Sequence, residues 1–167
     1  MKNRLGWNAL WMCIAHMLAM RATCEKARVG CVIVKDNKLI SSGYNGTPAG
    51  SHECLGAASC TNNFSHKCDK TIHAEQNALM FADRDEVLGA TLYCTHSPCL
   101  TCAKMIANSG IKSVVFDEVF DQDAVEWLSE HVRVFSAEAV IDPAQLFLVR
   151  NMAKMGQTLA DLEDEHE

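Results

Sequence analysis

Thr91-Leu92-Tyr93-Cys94-Thr95-His96-Ser97-Pro98-Cys99-Leu100-Thr101-Cys102-Ala103-Lys104 changes structural rhythm part-way along. Thr91 to Cys94 is a short apolar run that suits a buried strand. Pro98 then stands where a helix can open, because the N–H that proline lacks would be unpaired in a first helical turn. The helix is predicted to run to about Asn108, where Ser109-Gly110 stops it. A strand feeding directly into a helix is the unit of an α/β protein.

The same unit recurs on both sides. Downstream, Lys112 to Phe116 reads as a strand, Asp123 to Ser129 as a helix, Val132 to Phe135 as a strand and Pro143 to Leu159 as a last helix. Upstream, Leu10, Ile14, Met17 and Leu18, with Trp7 and Trp11 one turn back, predict an amphipathic helix from about residue 4 to Arg21. Val29 to Val34 and Lys38 to Ser42 flank Asp36-Asn37 as a hairpin. Gly43-Tyr44-Asn45-Gly46-Thr47-Pro48-Ala49-Gly50 is a loop, residues 51–70 are polar and without periodicity, and His73 to Phe81 or Ala82 is helical. The expected fold is a three-layer α-β-α sandwich around a mixed, mainly parallel five-stranded sheet. One domain over residues 1–167 is expected, with an insert at 51–70 and a C-terminal helix at about 143–160.

The net charge of −6 and the acidic closing stretch work against binding a nucleic acid polymer, which needs a basic footprint. A single phosphomonoester remains compatible with a few local cations. Nine cysteines, an odd number interleaved with seven histidines, read as reduced thiols and metal ligands, not as a disulfide framework. A reducing, cytoplasmic setting is expected. The apolar run after Lys2 and Arg4 is interrupted by Asn8 and His16, and no run is long enough to span a membrane.

The chemistry gathers at two helix starts. Thr71-Ile72-His73-Ala74-Glu75 offers a nitrogen ligand and a carboxylate two residues on, and Ser97-Pro98-Cys99-Leu100-Thr101-Cys102 offers two sulfurs. Three protein ligands leave the fourth tetrahedral position of zinc open, as in catalytic sites. Water there becomes nucleophilic near neutral pH, and Glu75 is placed to carry its protons. Cys99 and Cys102 lie three apart at a helix N-terminus, which favours their thiolate forms. A lone C-x-x-C reads equally as a redox pair or half of a structural zinc site, and a lone H-x-E says little. H-x-E followed by P-C-x-x-C is the established signature of zinc nucleobase deaminases.

With these motifs in view, the chain resembles the deoxycytidylate (dCMP) deaminases of the cytidine deaminase-like superfamily. The likeness runs from about residue 8 to about 120 and includes Arg21-Ala22-Thr23-Cys24, Val29-Gly30-Cys31-Val32-Ile33-Val34 and the Gly43–Gly50 loop. It implies hydrolysis of dCMP to dUMP, with zinc on His73, Cys99 and Cys102. Glu75 would protonate N3 of the base, the activated water would attack C4, and Glu75 would pass a proton to the departing amino group. Asn45 would contact the sugar hydroxyl, and backbone groups of Ala74 and Ser97 would hold the cytosine edge. Arg21, Lys26 and Arg28 are the local cations for the phosphate, and each reads equally well as ordinary surface charge. The resemblance further implies a homohexamer, with dCTP (with magnesium) and dTTP as effectors.

Some dCMP deaminases carry a second, structural zinc, and Cys24 and Cys54 match that pattern here. Cys60 and Cys68 complete a four-ligand set, with His66 as the substitute for either. A metal would offset the ordering entropy of a segment with little apolar area. Unpaired thiols in a loop are the alternative. Cys13, Cys31 and Cys94 fall in predicted elements and read as small core residues. Three rival functions stay open: deamination of another cytosine or purine substrate, a non-catalytic zinc module and a thiol-redox protein.

Overall fold

The computed structural model describes residues 4–24, 26–51 and 70–164, with side chains as far as Gly156. The first helix, α1, spans Trp7–Ala19. Gly6 precedes it in extended conformation, and the Gly6 N–H donates to Gln145 Oε1 at 3.0 Å, which fixes the start three residues later than expected. Strands β1 (Gly30–Lys35) and β2 (Lys38–Tyr44) form the anticipated hairpin. Asp36 and Asn37 both take positive φ, 52° and 57°, the two-residue turn that matches strand twist.

After the loop come α2 (Ala74–Met80), α3 (Arg84–Val87), β3 (Thr91–His96) and α4 (Leu100–Ser109). The chain continues with β4 (Ser113–Glu118), α5 (Gln122–Ser129), β5 (Arg133–Ser136), α6 (Ala137–Val140) and α7 (Pro143–Asp164). Two of these, α3 and α6, were not anticipated; at four residues each they are shorter than any helical period can reveal. Pro98 does not open α4. Cys99 is its N-cap, in extended conformation at φ −72° and ψ 167°, and Leu100 is the first helical residue. The left-handed Gly110, φ 86°, ends the helix as predicted.

The sheet order is β2-β1-β3-β4-β5. β1 is antiparallel to both β2 and β3, while β3–β4 and β4–β5 are parallel. Four strands therefore point one way and β1 alone runs against them. The sheet is mixed as expected, and mainly parallel in strand direction although its ladders divide evenly. The reason is the crossover through α2, which leaves β2 and must pass over β1 before β3 can pair.

Alternate side chains of the strands build two cores, which makes the three layers. Cys31, Ile33, Leu92, Cys94 and Val114 pack under Ala74 and Ala78 of α2, Ala103 and Ile106 of α4 and Leu128 of α5. Val32, Val34, Tyr93 and Val115 face Ala9, Met12 and Ala15 of α1, with Leu146 and Val149 of α7. Two glycines let helices touch the sheet. A Cβ on Gly30 would strike the Ala15 carbonyl of α1, and one on Gly43 would strike the Ala74 carbonyl of α2. Ser41 Oγ donates to the Ala78 carbonyl at 2.7 Å, and Asn77 Nδ2 to the Tyr44 carbonyl at 2.8 Å, so α2 is pinned along β2. Among the described residues no helix is long and apolar enough to cross a membrane.

Candidate active site

His73 is the N-cap of α2 and Cys99 the N-cap of α4, so two helix N-termini meet at one point. Cys102, at the third helical position, turns back toward Cys99. His73 Nδ1 lies 3.6 Å from Cys99 Sγ and 3.4 Å from Cys102 Sγ. All three ligand atoms lie within 4.8 Å of one another. Those separations fit a metal directly. A tetrahedral zinc with bonds of ~2.0 Å to nitrogen and ~2.3 Å to sulfur sets its ligand atoms roughly 3.6 Å apart. The donor set, one imidazole and two thiols beside a carboxylate, is also that of a three-ligand zinc centre.

The local sequence explains the placement. Gln76 Oε1 accepts from the His73 N–H at 2.9 Å, holding the start of α2 at the histidine. Gly46 and Ile72 exchange two backbone hydrogen bonds, 3.1 and 2.8 Å, and so tie the glycine-rich loop to the residue before His73. Glu75, in the first turn of α2, is 4% exposed, and its carboxyl lies within hydrogen-bonding reach of Cys102. Burial pushes its pKa from 4.5 up to about 7. The neighbouring Cys102, with His73, holds the Cys99 thiol down, to about 3. Cys102 is pushed up by the Cys99 sulfur beside it, by burial and by Glu75. A divalent cation would displace the thiol protons and leave both sulfurs as thiolates.

Asn45 is buried, and its side chain clamps the approach to β1. Its Oδ1 accepts from the Val29 N–H at 2.7 Å and its Nδ2 donates to the Ala27 carbonyl at 2.8 Å. One N–H and one lone pair of that amide remain beyond these two bonds. Through this clamp the segment bearing exposed Arg21 and Lys26 and half-buried Arg28 is tied to the loop that reaches His73. Ala74 is fully buried, and its carbonyl abuts Gly43. Cys24 is buried, whereas Cys54, Cys60, Cys68 and His66 lie outside the described residues. Cys13, Cys31 and Cys94 are core residues as expected.

A family model, the cytidine and deoxycytidylate deaminase zinc-binding region, matches residues 5–118. The chain belongs to that family. Deoxycytidylate deaminase of Mycobacterium phage D29 is 40% identical over 123 residues, which cover 68% of this deaminase-family chain and 96% of the phage protein. Deoxycytidylate deaminase of Saccharomyces cerevisiae is 43% identical over 126 residues, 72% of this chain but only 40% of the yeast protein. Among solved structures, the dCMP deaminase of cyanophage S-TIM5 in complex with dCMP and dUMP has a TM-score of 0.63 at 33% identity. That alignment covers 76% of this chain and 93% of the cyanophage protein.

Two features of this family member escaped the sequence reading. The Ser97 hydroxyl, 3% exposed as a residue, accepts from the N–H groups of Phe120 and Asp121 at 2.9 and 3.2 Å. Asp117, at the end of β4, accepts from His16 of α1 at 2.9 Å and from the forked guanidinium of Arg150 of α7 at 2.6 and 3.0 Å. No local pattern announces either, because each joins residues far apart in the chain. The Gln76 contact was readable, since a side chain that can accept at the third helical position is a known N-terminal signal.

Proposed function

We propose that this chain hydrolyses dCMP to dUMP and ammonia, with zinc held by His73, Cys99 and Cys102. The observation that carries the reading is the three-ligand cluster with the buried Glu75 carboxyl beside it. Bound zinc supplies Lewis-acid activation of a water molecule. The chain's own residues do the rest. Glu75, with a pKa near neutrality, is matched to both accepting and donating a proton at working pH. It would take one proton from the attacking water and deliver it to N3 of the cytosine, then take the second proton from the oxygen now bonded to C4 and deliver it to the departing amino group. The backbone around Ala74 and Ser97 holds the base edge, Asn45 offers its remaining amide valences to the sugar, and Arg21, Lys26 and Arg28 are the cations available to the phosphate. The named relatives support a cytosine deoxynucleotide as substrate.

The wider reading follows the same resemblance: one deaminase domain over residues 1–167, a cytoplasmic setting, a place in supplying deoxyuridylate for thymidylate synthesis, and a homohexamer activated by dCTP with magnesium and inhibited by dTTP. A second zinc on Cys24, Cys54, Cys60 and Cys68 belongs to it as well. The test is the fall in cytosine absorbance with dCMP, for the wild type and for Glu75→Ala, with and without dCTP and magnesium. Turnover by the wild type and a loss of at least ~100-fold in the variant are expected, the scale of one acid–base group. A zinc-loaded protein that leaves dCMP unchanged in every condition would sink the assignment.

A further inference from the structure

We propose that α7 carries a second apolar face, and that this face pairs antiparallel with α7 of another copy of the chain. The helix spans 22 residues, Pro143–Asp164, and begins well beyond residue 118, where the family match ends. One of its faces is already occupied. Leu146 and Val149 are buried in the core shared with α1. Gly156 is buried too, and a Cβ there would meet Met20 Sδ at 2.5 Å. With Gly6 bonded to Gln145 at the other end, α1 and α7 lie side by side along their length. Both sit on the layer opposite α2 and α4, which carry the zinc ligands, so the inference stands apart from the dCMP reading.

A helix that only covers a core needs one apolar stripe. This one has two. Leu148, Met152 and Met155 follow at intervals of four and three residues, about a third of a turn round from the buried face. They are 49%, 46% and 67% exposed, and Phe147, 71% exposed, borders them. Leu159 and Leu162 continue the four-and-three spacing in the sequence. That spacing is the repeat by which two helices interdigitate, and it is self-complementary. The area suffices for a pair. At roughly 150–200 Å² for a large apolar side chain, the four expose on the order of 400 Å² per copy. Two copies bring about 800 Å² together, and since homodimer interfaces are about 65% apolar the whole contact reaches ~1,200 Å², where stable interfaces begin. Charge sets the direction. Asp161, Glu163, Asp164, Glu165 and Glu167 crowd the last stretch without a Lys or Arg among them. A parallel pair would lay two such ends together, whereas an antiparallel pair brings each to the N-terminus of the other helix, where negative charge is favoured. In that arrangement Met152 faces Met155 of the partner subunit.

The test is sedimentation equilibrium of the full, zinc-loaded chain, wild type against the double variant Met152→Glu/Met155→Glu. The wild type is expected as a dimer or an even multiple of one, and the variant at half that mass with its zinc content and helical circular dichroism unchanged. The wild-type melting temperature should also rise with protein concentration more steeply than the variant's. Direction is read by mixing copies that carry Met152→Cys with copies that carry Met155→Cys under mild oxidation. A disulfide between the two introduced thiols should form faster in the mixture than in either variant alone. Faster cross-linking within each variant would mean a parallel pair and overturn the proposal. So would a monomeric wild type or a double variant of wild-type mass. A monomeric wild type that floats with anionic phospholipid vesicles would assign the stripe to a membrane surface instead. If the double variant loses zinc or helix signal, the cysteine pair decides alone, because cysteine keeps the face apolar.

Discussion

Glu75 is buried among thiols at a helix start, and its side chain costs the fold stability once it is ionised. Its folded pKa of about 7 lies above its ordinary 4.5, so the folded protein binds the proton more tightly than the unfolded chain does. Stability then falls as pH rises from about 4.5 to about 7, and the full cost stands above that. For zinc-stripped protein, Glu75→Gln is therefore expected to raise the melting temperature at pH 8 and leave it nearly unchanged at pH 4. The gain should be about 3.5 kcal/mol at most, from ~1.4 kcal/mol per pKa unit. Equal melting temperatures at pH 8 would show that the carboxylate is better solvated than its burial implies. His73, Glu75, Cys99 and Cys102 were all legible in the sequence because their spacing is local: two helix starts, each presenting its ligands within one turn. The second use of Ser97, through its hydroxyl, was not legible. Its partners lie 23 and 24 residues away, across a strand and a helix.

At the scale of elements, the site depends on how closely α2 lies on β2. Gly43 is the point of contact, and any side chain there meets the Ala74 carbonyl, one residue from both His73 and Glu75. Gly43→Ala is expected to cost on the order of 1–3 kcal/mol, the usual cost of forcing atoms into packed space. It should also lower kcat, because α2 can relieve the clash only by moving its N-terminus. Urea unfolding and dCMP turnover measure the two effects, and a stable variant with normal kcat would show that β2 yields instead of α2. The hydrophobic rhythm located the strands and the longer helices to within a few residues. It missed α3 and α6, which are a single turn each, and it placed Pro98 inside α4 although the chain makes Cys99 the cap. An extended Cys99 brings its sulfur, with that of Cys102, to His73, a convergence that helix propensity does not express.

Across the whole molecule, Asp117 joins three elements that meet only in the folded state. Its side chain has no exposure, and it receives His16 of α1 and Arg150 of α7 at the end of β4. Burial alone would raise its pKa, but the bonds and charges of His16 and Arg150 prevail and hold it below its ordinary 3.8. A depressed carboxylate contributes stability that is present above its unfolded pKa and is lost as pH falls through the folded one. Asp117→Asn is therefore expected to lower the melting temperature by several degrees at pH 7, and the gap from wild type should close below about pH 4. Arg150 is partly exposed and keeps Glu138 as a second partner, so the loss is on the order of 1–3 kcal/mol, the range for hydrogen bonds to a charged group. A gap that persisted at low pH would assign the loss to shape and not to charge.

The sequence by itself determined the layer architecture, the hairpin turn at Asp36-Asn37 and the candidate metal-ligand group with a carboxylate beside it, since each is written in residues a turn or a few positions apart. Only the tertiary structure decided that β1 sits reversed between β2 and β3, and that Asn45 spends half its amide on the Ala27–Val29 backbone. The same holds for the convergence of His16, Asp117 and Arg150 and for the seating of Phe120 and Asp121 on Ser97. The difference is physical. Periodicity and capping act along the chain, whereas a buried hydroxyl or carboxylate takes whichever partners the packed layers bring to it, and burial makes leaving it unpaired too costly.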